Sequence, residues 1–315
     1  MDRPESTLSL RALSIGVLSS AVMSAAHVVL ILLLVVIWGL TFVATRLALD
    51  DFSPAQLTAL RFLIAAVPAL WLPRPPLSGG TLVLVGTSLF TGQFLFQFFG
   101  IALGAPPGLA ALVVQTQALF TILFAALALG ERPTSRQWTG TAVAFAGLAL
   151  IATTLGGDLT VAGLGLTVLS AMSWGVGNVL VKRLPPVDTL SLMVWLSLVP
   201  PLPALAVALL LDGPRALHPS ALLAASWLGL GATLYIGLVA TVLGYAIWGQ
   251  LMRRYPAATV TPFALLIPFV AAAGSAVAFG ERFGGFRLAG MALVLVGLGV
   301  IVSRPSRATT RLGCR

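Results

Sequence analysis

The amino-acid sequence predicts an all-α polytopic membrane protein, ten transmembrane helices arranged as two inverted five-helix repeats. Three observations lead there. The first is composition: 58% of the 315 residues are hydrophobic and only 9% are charged, with a mean hydropathy of +1.03. A soluble domain carries about 25% charged residues, so this chain lacks the charge to cover a surface in water. The second is segment length. Apolar runs of the size needed to cross the hydrocarbon core, about 20 residues, recur along the whole chain, whereas spanning barrel strands are about ten residues of alternating polarity. The third is an internal repeat. ALGERPTSRQWTGTAVAFAGLALI from Ala128 aligns without a gap on AFGERFGGFRLAGMALVLVGLGVI from Ala278, pairing Gly130-Glu131-Arg132 with Gly280-Glu281-Arg282, Gly140 with Gly290 and Gly147 with Gly297. Pro106 aligns with Pro256, Trp38-Gly39 with Trp174-Gly175, and Arg46 with Lys182. An odd number of spans per unit turns the second unit upside down, the arrangement typical of secondary transporters.

Taken in order, helix 1 is predicted over 28–48 and carries Trp38 and Thr41; LDDFSP ends it. Helix 2 (54–72) holds Arg61 about two turns in, behind an apolar face. A charge at mid-depth costs at least about 2.5 kcal/mol, so Arg61 binds a solute carboxylate, fixes helix ends through backbone carbonyls, or snorkels to the surface. After PRPPLSGG, helix 3 (80–102) places Gln93 and Gln97 four apart on one face. After GAPPG, helix 4 (107–129) carries Gln115, Thr116 and Gln117, with Thr121 one turn beyond Gln117. GERPTSRQ leads into helix 5 (138–155) and LGGDLT into helix 6 (160–181), where Asn178 follows Trp174 by four residues. KRLPPVD precedes helix 7 (189–211); LDGPRALHPS precedes helix 8 (221–250), which closes with Tyr245, Trp248 and Gln250. MRRYP leads to helix 9 (257–279), where Pro262 and Pro268 free backbone carbonyls and permit bending. GERFGGFR opens helix 10 (286–303). The glycine pairs in helices 5 and 10 suit close helix packing. The domain plan is an extension over 1–27, a first repeat over 28–155, a second over 160–303 and a basic cytoplasmic tail over 304–315.

The net charge of +9 does not mark a nucleic-acid surface, because the basic residues punctuate apolar runs instead of forming a patch, as topology signals do. With the N-terminus in the cytoplasm and ten alternating spans, thirteen of the 18 Lys and Arg residues fall on the cytoplasmic side. Arg46, Arg215, Arg282 and Arg287 fall outside, and Arg61 within a span. The expectation is a protein of the inner (plasma) membrane with both termini inside. Arg3 and Arg11 followed by ALSIGVLSSAVMSAA look partly like a cleavable signal, but the run is short and passes into helix 1 without a hydrophilic loop. A translation start at Met23 is favoured; a cytoplasmic or interfacial extension is the alternative.

Little other chemistry is available. Cys314, in the tail, is the one cysteine, so neither an intramolecular disulfide nor a cysteine metal site can form. HExxH, GxSxG and Walker-type phosphate loops are missing, which argues against an enzyme and against a bound cofactor. All nine carboxylates lie in loops or at helix ends, leaving no intramembrane proton carrier of the usual kind. What remains is neutral polarity with one cation. Amides both donate and accept, which suits a zwitterionic or neutral polar solute; the bland alternative is helix–helix hydrogen bonding, worth about 0.6 kcal/mol each. Trp38 and Trp174 are either cavity aromatics or interfacial anchors.

On these residues the chain resembles the drug/metabolite transporter superfamily in its EamA-type branch, and within it the amino-acid metabolite exporters of the O-acetylserine/cysteine type. The stretches that carry the likeness are VVIWGLTFVATRLAL, LTALRFLIAAVPAL, GLAALVVQTQALFTILFAALALGER, LSAMSWGVGNVLVKR, ATVLGYAIWGQLMRRYP and the second GER segment. The resemblance runs from Met23 to about Ser303. It implies a bundle with a central cavity lined by helices 1, 3, 4, 6, 8 and 9, helices 5 and 10 at the periphery, and export by alternating access. Its partners would be a small-molecule solute and the lipid bilayer; other solutes of the same superfamily, such as aromatic amino acids, drugs or nucleobases, and remotely a non-transport membrane protein, are the alternatives. The solute-binding candidates are Trp38, Thr41, Arg61, Gln93, Gln97, Gln115, Gln117, Trp174, Asn178, Tyr245 and Trp248. The oligomeric state is not legible in the sequence.

Overall fold

The computed structural model describes residues 23–214, 218 and 220–303; the expected tail and the first 22 residues lie outside them. Among the described residues the chain is helical, with one isolated bridge between Gly156 and Leu159. The main helices are α1 (Ala25–Ala48), α2 (Pro54–Ala66, continued by a 3-10 turn to Leu70), α3 (Gly79–Ala102) and α4 (Pro107–Leu129). They continue with α5 (Ser135–Ala152), α6 (Val161–Lys182), α7 (Thr189–Asp212), α8 (Trp227–Arg254), α9 (Ala257–Phe279) and α10 (Gly285–Val302). A five-residue helix, Ser220–Ala224, precedes α8.

Eight of these are long and apolar enough to cross a membrane. The expectation of ten is met by eight because α2 and α5 fall short. α2 with its turn spans Pro54–Leu70, about 26 Å at 1.5 Å per residue against a core of about 30 Å, and α5 opens on the polar Ser135-Arg136-Gln137. Capping chemistry moves several predicted ends. The Thr134–Gln137 capping box starts α5 at 135 instead of 138. Ser226 caps α8, so this helix begins at 227 and not 221. Gly130 and Gly280, both in the left-handed region (φ 66° and 67°), end α4 and α9 at the two Gly-Glu-Arg corners.

The outer surface is apolar: Leu127, Leu210 and Val277 are each more than 80% exposed. Such a surface is costly in water and neutral in lipid. The interior holds Phe62, Phe90 and Phe98 fully buried, with Phe62 stacked on Phe90 at 4.9 Å.

α5 and α10 pack on each other through their glycines. A methyl group added at Gly140 would lie 2.6 Å from the Gly297 carbonyl oxygen, and one at Gly147 would lie 2.6 Å from that of Gly290. The order of contacts reverses along the two helices, so they run antiparallel. The two Gly-Glu-Arg corners likewise mark opposite ends of α4: Glu281 accepts the Gly108 N–H at its first turn, while Glu131 follows its last. Arg287 lies in the first turn of α10, as the expected span 286–303 has it, and is 7% exposed. Its Nη2 lies 2.6 Å from Asp158 and its Nε donates to Thr154.

Candidate functional site

The long helices are interrupted near mid-length, and the interruptions build the centre. In α3 the segment Thr87–Gly92 is π-helical, and in α8 the segment Tyr235–Leu243 is; π-turns widen a helix and leave carbonyls off the usual ladder. α4 breaks at Thr116, and α9 tightens to a 3-10 helix over Thr261–Leu266, ahead of Pro268. Proline lacks the N–H that would bond four residues back, so the Ala264 carbonyl loses its α-helical partner; it accepts the Ile267 N–H of the 3-10 turn and, at 2.7 Å, Gln115 Nε2.

Around these breaks lies a central cavity of ≈ 80 Å³, room for several water molecules. Eight of the eleven candidates line it: Trp38, Thr41, Arg61, Gln93, Gln97, Gln115, Trp174 and Tyr245. Phe42, Phe94, Ala111, Val114, Ala240 and Ile267 supply the apolar remainder. The wall comes from α1, α3, α4, α6, α8 and α9, with α2 adding Arg61.

Trp38 is fixed by its Nε1–H, which donates to the Ala240 carbonyl within the π-helical turn of α8 (2.9 Å). Tyr245 meets its ring edge-on at 5.8 Å. Gly244 is needed beside it, since a methyl group there would sit 2.6 Å from Trp38 Nε1. Gln93 Nε2 donates to Gln97 Oε1 at 2.9 Å, both residues being 2% exposed.

Arg61 is the charged centre of the site. Its guanidinium carbon stands 3.9 Å from the Phe94 ring centroid and 5.5 Å from that of Phe62, and Nε donates to Thr241 Oγ1 at 3.2 Å. Stacking on a desolvated ring contributes about 2 kcal/mol. Among the described residues no carboxylate forms an ion pair with it, and Nη1 is buried without a hydrogen-bond partner. Snorkelling is ruled out by its 4% exposure. The guanidinium thus stands at the cavity wall with Nη1 unpartnered.

Three candidates fall outside the cavity. Asn178 Nδ2 donates to Gln117 Oε1 (2.7 Å) and Thr121 Oγ1 (3.1 Å), tying α6 to α4. Gln117 and Asn178 thus form a clasp between helices, and Gln117, two residues after Gln115, lies on a different face of α4. Trp248 backs Trp38 at 5.4 Å instead of lining the space.

Sequence reasoning passed over a second, wider space at one end of the bundle. This vestibule of ≈ 520 Å³ is walled by Arg46, Gly104, Pro106, Asp158, Glu281 and Arg282, among others. Burial raises the Glu281 carboxyl above the usual range against the opposing pull of the Gly108 N–H. The Arg287 guanidinium beside Asp158 holds that carboxyl below it. The signal in the sequence was Glu281 itself, aligned with Glu131, but a loop carboxylate does not announce its burial.

The EamA-like transporter family matches residues 25–153 and again 161–303. A probable amino-acid metabolite efflux pump of Salmonella typhimurium (strain LT2) is 41% identical, over 85% of this chain and 92% of its own length. One of the same description from Escherichia coli (strain K12) is 38% identical over 86% and 92%. A probable terminal-alkyne amino-acid exporter of Streptantibioticus cattleyicolor is 29% identical over 87% and 92%. A solved crystal structure covers 89% of this chain and 98% of its own at 20% identity with a TM-score of 0.57, a likeness of fold alone.

Proposed function

The chain belongs to the EamA-like transporter family, and from that premise we propose that it is a secondary exporter of small amino-acid-like metabolites, of the O-acetylserine/cysteine type, working by alternating access without a bound cofactor. It is a multi-pass membrane protein. Within the proposal its ten helices form two inverted five-helix repeats, residues 28–155 and 160–303, with both termini cytoplasmic in the inner membrane. The antiparallel glycine packing of α5 on α10, the corners at opposite ends of α4 and the double family match support that plan.

The observation that carries the solute class is Arg61. A buried guanidinium with a vacant Nη1 matches a carboxylate, which an anionic or zwitterionic metabolite supplies. The aromatic faces of Trp38, Trp174 and Tyr245, on the same cavity, suit an ammonium group through cation–π attraction. Gln93 and Gln97 add donors and acceptors for a polar side chain. At ≈ 80 Å³ the cavity is contracted; admitting a metabolite requires its walls to part, as the change between inward and outward openings provides. The relatives named as amino-acid metabolite pumps point to the same class.

Proteoliposomes containing the purified protein, assayed with labelled O-acetylserine, cysteine and threonine, test this. Saturable flux of at least one, competed by the others, is expected. Saturable flux of none, with flux of a solute lacking a carboxylate, would refute the class.

A further inference from the structure

We infer that Arg46 and Glu281 form the ion pair that closes the vestibule, the counterpart of the Lys182–Glu131 pair on the opposite face, and that the two pairs form in alternation. The inference rests on the alternating-access reading above and adds to it the residues that latch each side.

The packing of α9 on α1 repeats that of α4 on α6. Gly39 accommodates Val270, and Gly175 accommodates Phe120; Gly39 aligns with Gly175, and position 270 lies 150 residues after 120, the offset of the corner alignment. Seven residues beyond each glycine stand Arg46 and Lys182, and eleven beyond Val270 and Phe120 stand Glu281 and Glu131. Equivalent helix pairs therefore deliver equivalent opposite charges to the two ends of the bundle.

The two ends differ in one respect. Lys182 Nζ bonds both carboxylate oxygens of Glu131, at 3.1 and 3.0 Å, and Arg183 adds a bond to the Ala128 carbonyl at 2.7 Å. That end is latched. At the other end Arg46 is turned to Asp50 at 2.5 Å, and Glu281 spends Oε2 on the Gly108 N–H while Oε1 is buried without a hydrogen-bond partner. Both line the vestibule, which stands open between them.

Of the other charges on its wall, Asp158 is held by Arg287 and Arg282 adjoins Glu281 in the corner itself, leaving Arg46 as the cation that α1 brings. Its bond to Asp50 is an exposed i, i+4 pair, weak by nature and readily exchanged. Asp50 thus parks Arg46 while the vestibule is open; no carboxylate stands four residues after Lys182, where Pro186 lies.

The test is cross-linking in membrane vesicles, on a Cys314→Ser background, of Arg46→Cys/Glu281→Cys and Lys182→Cys/Glu131→Cys. Both pairs are expected to react with a short bifunctional thiol reagent, and closing either is expected to stop flux. In parallel, Arg46→Glu should lower flux about tenfold, a coupling of ordinary size, and Arg46→Glu/Glu281→Arg should restore most of it. Reaction at Lys182/Glu131 alone, or a double reversal no better than Arg46→Glu in a chain that still inserts, overturns the latch. Absence of flux in the unsubstituted protein would instead count against the proposed function, because cross-linking is read without solute.

Discussion

Thr91 and Thr241 stand 150 residues apart at the same turn of α3 and α8, each donating its hydroxyl to the carbonyl five residues back, Gly86 at 3.5 Å and Ile236 at 2.7 Å. Both hydroxyls hold open a π-turn. Only Thr241 also receives a cation, the Nε–H of Arg61. The two halves share a mechanical device, and one half has loaded it with charge. Thr241→Val should therefore raise the solute concentration for half-maximal flux several-fold, while Thr91→Val leaves it near the unsubstituted value. Equal effects would show that the π-turn alone matters.

Removing the charge should separate stability from transport. Arg61→Met deletes an unpaired buried cation whose burial costs at least about 2.5 kcal/mol, so the thermal unfolding temperature in detergent should hold or rise. Saturable flux of a carboxylate-bearing solute should fall by at least about tenfold, the loss of one charge-assisted hydrogen bond. Arg61→Lys should recover little, because a point ammonium cannot both stack on Phe94 and present Nη1.

Gln97→Ala and Gln117→Ala should part company. Gln97 faces the cavity and accepts from Gln93, so its loss should lower the unfolding temperature by leaving the buried Gln93 amide unpaired and should also weaken flux and shift its concentration dependence. Gln117 is clasped by Asn178; its loss leaves the Asn178 amide with Thr121 alone and should lower the unfolding temperature, at a cost of about 1 kcal/mol, with the concentration dependence of flux unchanged.

At the α5–α10 contact, Gly147→Ala puts a methyl group 2.6 Å from the Gly290 carbonyl oxygen. Overpacking of this kind costs about 1–3 kcal/mol. The double variant Gly147→Ala/Gly290→Ala should cost less than the sum of the two singles, since one separation of the helices relieves both. Thermal unfolding of the four proteins measures the difference.

The vestibule carries a pH signature with two opposite signs. Asp158, held below the usual carboxylate range by Arg287, contributes stability that is present above the ordinary aspartate pKa and lost as pH falls through its lowered one. Glu281 is raised by burial, so its contribution is present below the ordinary glutamate pKa and lost as pH rises through the raised one. Asp158→Asn should lower the unfolding temperature at neutral pH and converge on the unsubstituted protein in acid. Glu281→Gln should do no harm in acid and stabilise at neutral pH. Unfolding temperatures from pH 3 to 8 decide both.

Much of the membrane character was legible because it follows from composition and segment length: a chain with 9% charged residues has nowhere to fold but lipid. The family was legible too, through local stretches such as QTQALFTI and the paired GER corners. Two helix starts were off where a hydroxyl caps the helix, at Ser226 and Thr134, because hydropathy does not see one hydroxyl. Eight of the site candidates line the cavity, since polar side chains in a span have few places to go. Gln117 and Asn178 do not, because a hydrogen bond between two amides on different helices leaves no trace in periodicity.

The sequence by itself determined that the chain is helical, belongs in a membrane and repeats its own pattern, because those properties sum over many residues and survive local error. The tertiary structure alone decided which polar groups are spent and which are free. Gln115 is taken by a carbonyl that Pro268 releases, Asn178 by Gln117 and Arg287 by Asp158, while Nη1 of Arg61 is left over. That distinction depends on distances of a few ångströms between helices remote in sequence, and no one-dimensional pattern encodes them.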